Sequence, residues 1–397
     1  MKNNDFRIGV VSTAYVPQPL SKPFPKDAAS TSSNSHTGVI LRRWVAPLAT
    51  DAEFEWTGPR TSIASLYVMQ KSEDDLSSKL CHEFGIRESS SVVDALTLGT
   101  GTLAVDAVMM IAEHGDFPEN ELQQKLYPRK ELLDEILKVM EQSGRVVPLF
   151  FDKHFSWNPA WIREMYFRLE EMAVPWFGGS SLSHCPMVPP VPSLEGEKPT
   201  ELVMTSWAGT EIYLFHALEL VQSIVEKRKG GETGIRAVRA WSGEGAWAAM
   251  DRGEFSMDLL RVAVQKGSPD VVSAFEERMQ KRQNPPEIFQ YHYQDGLKAT
   301  IVRLNETTRK WAWACQVEGW EEPIASAPVA QGAEPYFYAH FARFARRIED
   351  FFLSGGVSPV AHERLFITSM ACAYGMQALS KPGVFLPDGT IPCPPKR

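Results

Sequence analysis

"VVPLFFDKHFSW", Val146 to Trp157, is an apolar run that stops abruptly at an acid, a lysine and a histidine. It reads as a buried strand. Side chains alternate across a strand, and open α/β sheets bind ligands beyond the C-terminal ends of their strands. The run therefore delivers Asp152, Lys153 and His154 to the place where such a sheet would build a catalytic corner.

The segments around it repeat one pattern. "FRIGVVSTAY", "TSIASLYVMQ", "LAVDAVMMIAEHG" and "VPWFGG" read as strands. "TGVILRRWVAPL", "DDLSSKLCHEFG", "RKELLDEILKVMEQSG" and "PAWIREMYFRLEEMA" read as helices, two of them stopping at Gly85 and Gly144, as helices with a glycine C-cap do. Strands alternating with helices of this length predict parallel βαβ units in a doubly wound sheet. The proline-rich "CPMVPPVPSLEGEKP", residues 185–199, interrupts regular structure. Past it, "AVRAWSG", "EIFQYHYQDG", "LKATIVRLNE", "KWAWACQVEG" and "PIASAPVAQG" have the aromatic and β-branched content of antiparallel strands with glycine-bearing turns. Two helical stretches, "YAHFARFARRIEDFFLSGG" and "ERLFITSMACAYGMQAL", close the chain. The expected architecture is α/β. A Rossmann-like doubly wound parallel sheet over 1–185 is followed by an α+β domain with a large open antiparallel sheet over 200–397, its closing helices able to pack back on the first domain.

At 397 residues the chain has room for two cores, since single ones stop growing near about 250–300 residues. A net charge of −8 leaves no basic surplus to neutralise phosphates, which excludes a nonspecific nucleic-acid binder. Cys81, Cys185, Cys315, Cys372 and Cys393 are scattered singly, the usage of a reducing compartment without zinc-finger spacing. No apolar run reaches the roughly 18 residues of a membrane span. "MKNNDFRIGVV" lacks the apolar core of a secretory signal. A cytoplasmic protein is expected.

The arrangement resembles the Gfo/Idh/MocA family of sugar-type oxidoreductases. "LAVDAVMMIAEHG" is similar to the family's strand that ends beside the nicotinamide. "VVPLFFDKHFS" stands at the family's Glu-Lys-Pro strand end, with Asp152 and His154 in place of glutamate and proline. "FARRIEDFFLSGGVSPVAHERLFITSMACA" is similar to its closing helices. The first turn departs from the family. There the family carries G-x-G-x-x-G for the dinucleotide pyrophosphate. Here Gly9 lies inside the strand and no glycine follows until Gly38, while Pro17, Pro19, Pro23 and Pro25 hold the loop extended. NAD(P) is therefore the less favoured cofactor.

The resemblance implies Lys153 as the catalytic lysine and His216, in "GTEIYLFHALE", as the histidine of the family's D-x-x-x-H helix. The aspartate of that motif is Ile212 here, with Glu211 beside it. A lysine and a histidine converging on a substrate oxygen suit general acid/base work. The plain alternative is a solvated loop lysine and a hydrogen-bonded core histidine. His154 and Asp152 join the expected catalytic set. Glu113, His114, Ser180, Ser181, His184 and Tyr15 are expected to meet a polar small-molecule substrate. A second expectation is a divalent metal held by His154, His216 and a carboxylate, with His36, Glu113, His114, Asp152 and Glu219 as the further candidate ligands. Against it stands the absence of any tight H-x-H or H-E-x-x-H spacing. Trp311, Trp313 and Trp320 are expected to pack the open sheet or a homo-oligomer interface on it. The leading expectation is a lyase- or isomerase-type enzyme performing elimination, hydration, isomerisation or cyclisation. An NAD(P)-dependent oxidoreductase with an atypical cofactor loop and an inactive binding scaffold are the alternatives.

Overall fold

The computed structural model describes residues 6–17, 30, 31, 33, 35–305, 307–330 and 338–394; most of the first loop, 16–35, lies outside them. The first half forms β1 (Arg7–Ala14), α1 (His36–Val45), β2 (Ser62–Gln70), α2 (Ser77–Phe84), β3 (Arg87–Ser89), α3 (Val92–Thr97), β4 (Ala107–Ile111), α4 (Arg129–Gln142), β5 (Leu149–Asp152), α5 (Pro159–Glu171) and β6 (Trp176–Gly179). Its six strands lie in the order β3-β2-β1-β4-β5-β6, and every neighbouring pair is parallel. This is the doubly wound sheet the alternation predicts.

Local chemistry sets the helix starts. Ser35 caps α1 and Ser91 caps α3 through their hydroxyls. Asn158 caps α5, whose first residue is Pro159; a missing N–H costs nothing at that position. A parallel sheet is covered on both faces, so its strands are apolar throughout rather than alternating. In β4, Val108 and Met110 face α4 and α5 through Leu133, Ile136, Leu137 and Met165. Met109 and Ile111 face α1 and the later helix residues Phe341, Phe344 and Phe351.

The second half contributes β7 (Met187–Val188), β8 (Pro199–Ser206), α6 (Thr210–Val225), β9 (Gly234–Trp241), α7 (Glu244–Asp251), α8 (Met257–Gly267), α9 (Val272–Lys281), β10 (Glu287–Tyr293), β11 (Lys298–Arg303), β12 (Ala312–Val317), β13 (Ile324–Pro328), α10 (His340–Leu353), α11 (His362–Leu379) and β14 (Ile391–Pro392). The eight strands run β14-β9-β10-β11-β8-β12-β13-β7. β8 and β11 pair in parallel while the other pairs are antiparallel, so the sheet is mixed. The long excursion through α6 to β10 supplies the crossover that a parallel pair needs.

One face of this sheet packs on α6 and α11. The other, expected to lie open to a second copy, is covered by α7, α8 and α9, which seat Ala246, Leu260, Ala263 and Phe275 against Val203, Ile288, Val302 and Ala314. Sequence reading assigned no element to these three helices. α10 crosses back to the first sheet, and Glu349 in it accepts from the backbone N–H groups of Arg60 (2.7 Å) and Thr61 (2.9 Å) at the start of β2.

Phe344 is fully buried between Phe150 and Phe177. Phe344→Ala should destabilise the protein by about 3–5 kcal/mol, read as a fall in urea midpoint. Val357→Ala, at 71% exposure, should stay within about 0.5 kcal/mol of the parent. Equal effects from the two would contradict the packing of α10 on the first sheet.

Candidate active site

The parallel register pairs Met110 with Phe151, so β4 and β5 end level with one another. Glu113 and His114 follow the first strand, and Asp152 and Lys153 end the second. Lys153 takes a left-handed backbone conformation, φ 82°, and so does His114, φ 70°. Each costs of order 1–3 kcal/mol for a residue with a β-carbon. The Lys153 N–H is held by the Gly179 carbonyl at 3.2 Å, across to β6. Gly179 itself sits at φ 123°, and a β-carbon there would collide with the Glu219 carboxylate.

The turn drives the Lys153 ammonium into the protein. Its Nζ lies 3.2 Å from Glu113 Oε2, with both side chains under 5% exposed, and 2.5 Å from His216 Nε2. His216 Nδ1 is 2.5 Å from Ser180 Oγ. An ammonium can only donate, so His216 Nε2 accepts from it and Nδ1–H faces the serine. His216 also has Trp311 at 6.0 Å between ring centroids, and Trp311 stacks on Tyr213. On the other side of Glu113, His36 at the head of α1 pairs with Asp152 at 2.7 Å and lies 4.0 Å from Glu113 Oε2.

His154 belongs to a separate network. Its Nε2 is 2.8 Å from Arg129 and 3.6 Å from Glu211. Glu211 accepts from Gln124 and the Lys125 N–H. The expected metal set is therefore not brought together. A guanidinium faces His154, both ring nitrogens of His216 are engaged, and Glu219 accepts from Ser180 N and Thr368 Oγ1. Nor does Glu211 serve Lys153 as the replacement for the missing helix aspartate: Glu113 stands there instead.

Burial pushes His216 well below the ordinary histidine range, and the neighbouring Lys153 charge adds to it. Burial and Arg129 lower His154; burial takes His114 down to about 4. Burial alone would raise the Glu113 carboxyl, but the Lys153 ammonium and His36 outweigh it and hold the group well below the usual carboxylate range. Glu219 is raised by its burial. The corner thus combines an ionised acid with neutral imidazoles around one lysine, an arrangement suited to proton transfer.

Of the other expected substrate contacts, Ser180 is at the corner. Ser181 is buried beside it with its hydroxyl unpaired. Tyr15 is fully buried and donates to the Ser30 carbonyl, which makes it an anchor of the first loop. His184 packs on Phe177 and Phe344. Sequence reading missed Arg129, Gln124 and Tyr213, and it gave Trp311 to the sheet. The polar run 113–128 after a buried strand was the available signal for Gln124, and Arg129 follows it at the head of α4.

No family model matches the sequence, and no curated protein matches it. Solved structures do match in fold. A probable dehydrogenase from Thermotoga maritima shares 13% identity at a TM-score of 0.54, over 95% of this chain and 97% of that one. GenD2 from gentamicin A biosynthesis, in complex with NAD, shares 11% at 0.53, over 97% of each. The myo-inositol 2-dehydrogenase from Lactobacillus plantarum shares 9% at 0.55, over 96% and 98%. The chain has the two-domain fold of Gfo/Idh/MocA-type dehydrogenases. Among the described residues no helix is long and apolar enough to cross a membrane.

His114 at about 4, and His184 and His340 at about 3, are held neutral by burial. An unfolded histidine titrates near about 6.5, so below that pH the unfolded chain takes up protons the folded chain refuses. Stability from these groups is complete above about pH 6.5 and is lost on acidification toward about pH 4. Melting temperature should therefore fall from about pH 7.5 to about pH 5. A flat or rising profile would show that these rings are protonated in the folded state.

Proposed function

We propose that the protein is an enzyme that transfers a proton at a hydroxyl- or carbonyl-bearing carbon of a small polar molecule, with oxidation or reduction as the net reaction. The observation that carries this reading is the buried Lys153 ammonium, bracketed by Glu113 and His216 on a strained backbone turn. In the reductive direction Lys153 donates to the carbonyl oxygen as negative charge develops there, and Glu113 steadies the ammonium beforehand. In the oxidative direction Lys153 enters as the free amine and takes the hydroxyl proton, becoming the ammonium that Glu113 then holds. His216 and Ser180 continue the hydrogen-bond path away from it. Trp311 and Tyr213 offer an aromatic wall beside His216 for the apolar face of a ring or chain. The fold shared with dehydrogenases supports oxidoreduction over elimination or isomerisation.

Such a reaction needs a hydride carrier, and the fold family implies a nicotinamide dinucleotide. The described residues do not fit its pyrophosphate at the β1–α1 turn. The Gly38 N–H is already taken by the Ser35 hydroxyl at 3.2 Å, and a β-carbon on Gly38 would overlap Ser33. Gln70, at the end of β2, also makes two hydrogen bonds to the Asp116 backbone, of 3.0 and 2.7 Å. That clasp joins the ends of β2 and β4 across β1, which lies between them. It favours a second reading, cofactor-independent elimination, hydration, isomerisation or cyclisation by the same Lys153–His216 pair.

Titration with NADH and NADPH separates the two readings. Saturable fluorescence change and thermal stabilisation support oxidoreduction, because a ligand of the native state must raise its stability. No binding, with Lys153-dependent exchange of solvent deuterium into polyol-derived ketones, supports the second reading. Under either, Lys153→Arg keeps the charge beside Glu113 but cannot release a proton, so turnover should fall about 10²–10⁴-fold with the fold retained. Lys153→Met alone would strand a buried carboxylate at a cost of about 3–5 kcal/mol. The double variant Glu113→Gln/Lys153→Met avoids that and should be equally inactive. Full turnover in Lys153→Arg would end both readings.

A further inference from the structure

We propose that His36, Glu113 and His114 form a divalent-metal site beside the Lys153 corner, with Asp152 orienting His36. One ring nitrogen from each histidine and one carboxylate oxygen from Glu113 lie within 4.8 Å of one another. Metal–ligand distances of about 2.0–2.2 Å at tetrahedral angles put ligand atoms roughly 3.5 Å apart, so binding draws the triangle in by up to about 1 Å. Two imidazoles and a carboxylate are the donor set taken by zinc and its borderline neighbours, with positions left for water or substrate.

A second observation points the same way. The Nε2 atom of His114 is buried and has no hydrogen-bond partner. A buried ring nitrogen without a partner costs of order 1–3 kcal/mol, and the strained φ of 70° at this residue adds to the cost of holding the ring there. A cation would relieve the unpaired nitrogen. Asp152 accepts from His36 Nδ1 at 2.7 Å, the carboxylate–histidine arrangement that fixes the tautomer and leaves the other ring nitrogen its lone pair. Glu113 and Asp152 bring two negative charges against the one ammonium of Lys153.

Lys153 and the cation would share the Glu113 carboxylate. Each therefore weakens the other: a metal disfavours the ammonium by like charge, and the ammonium lowers metal affinity. Of the candidates expected from sequence, His36, Glu113, His114 and Asp152 meet here, while His154, His216 and Glu219 take no part.

The test is uptake, which is read without turnover and does not depend on the reading of the reaction. The full chain is dialysed against a chelator and titrated with Co²⁺ or Zn²⁺ alone, followed by calorimetry and thermal melting. One saturable equivalent that raises the melting temperature is expected. His36→Ala and His114→Gln should each weaken it at least about 100-fold, and Asp152→Asn about 10–100-fold. Lys153→Met should bind more tightly than the parent, an outcome that a purely structural histidine cluster would not give. No saturable uptake by the parent chain overturns the proposal. So does uptake unchanged in both histidine variants, which would mean surface binding only.

Discussion

An ammonium and a carboxylate buried 3.2 Å apart at the ends of neighbouring strands are the constraint on which the rest of the molecule depends. Taking two such charges out of water costs several kcal/mol per ion, and mutual attraction repays it only in good geometry with further hydrogen bonds. The protein supplies that geometry through the β4–β5 register and the left-handed turn at Lys153, which Gly179 holds from β6. His216 completes the shell, and α6 must therefore be docked before the charges can be sheltered. The site and the junction of the two sheets are one construction.

This junction explains why the closing helices matter. α11 is buried on nearly every side, and its Ser369 hydroxyl accepts from the Phe155 N–H at 3.1 Å, two residues past Lys153. Thr368 in the same helix holds Glu219, which in turn holds the Ser180 N–H. A chain of hydrogen bonds thus runs from α11 through α6 to the serine that meets His216. α10 performs the matching task on the other face of the first sheet, where its phenylalanines fill the space under β4, β5 and β6.

The first strand has a different use from the one its position suggests. In a doubly wound sheet the crevice above β1 and β4 is the natural ligand site. In this chain the helix head is capped by its own loop and the Gln70–Asp116 clasp crosses the strand end. What remains of the crevice is lined by His36, Glu113, His114 and Asp152. These side chains offer lone pairs and carboxylates, which suit cations and protons.

Much of this was legible in the chain alone. The apolar strands "AVMMI" and "LFFD", the glycine stops at Gly85 and Gly144, and the missing glycines after Gly9 are local signals, and local periodicity and backbone chemistry are what a sequence states directly. They sufficed for the doubly wound sheet, whereas Lys153 and His216 as a pair came from the family resemblance. The helices α7–α9 were not assigned from the sequence, although α8 buries Leu259, Leu260, Ala263 and Val264 along one face. The division of the histidines was beyond sequence. His154 and Lys153 are neighbours in the chain, yet the φ of 82° at Lys153 sends them to different partners, Arg129 and Glu113. His36 and Asp152 are 116 positions apart and meet only because α1 and β5 end at the same rim of one sheet. A residue's type and its strand are written locally, but which charge it faces depends on distant segments arriving at the same point, and only the folded chain decides that.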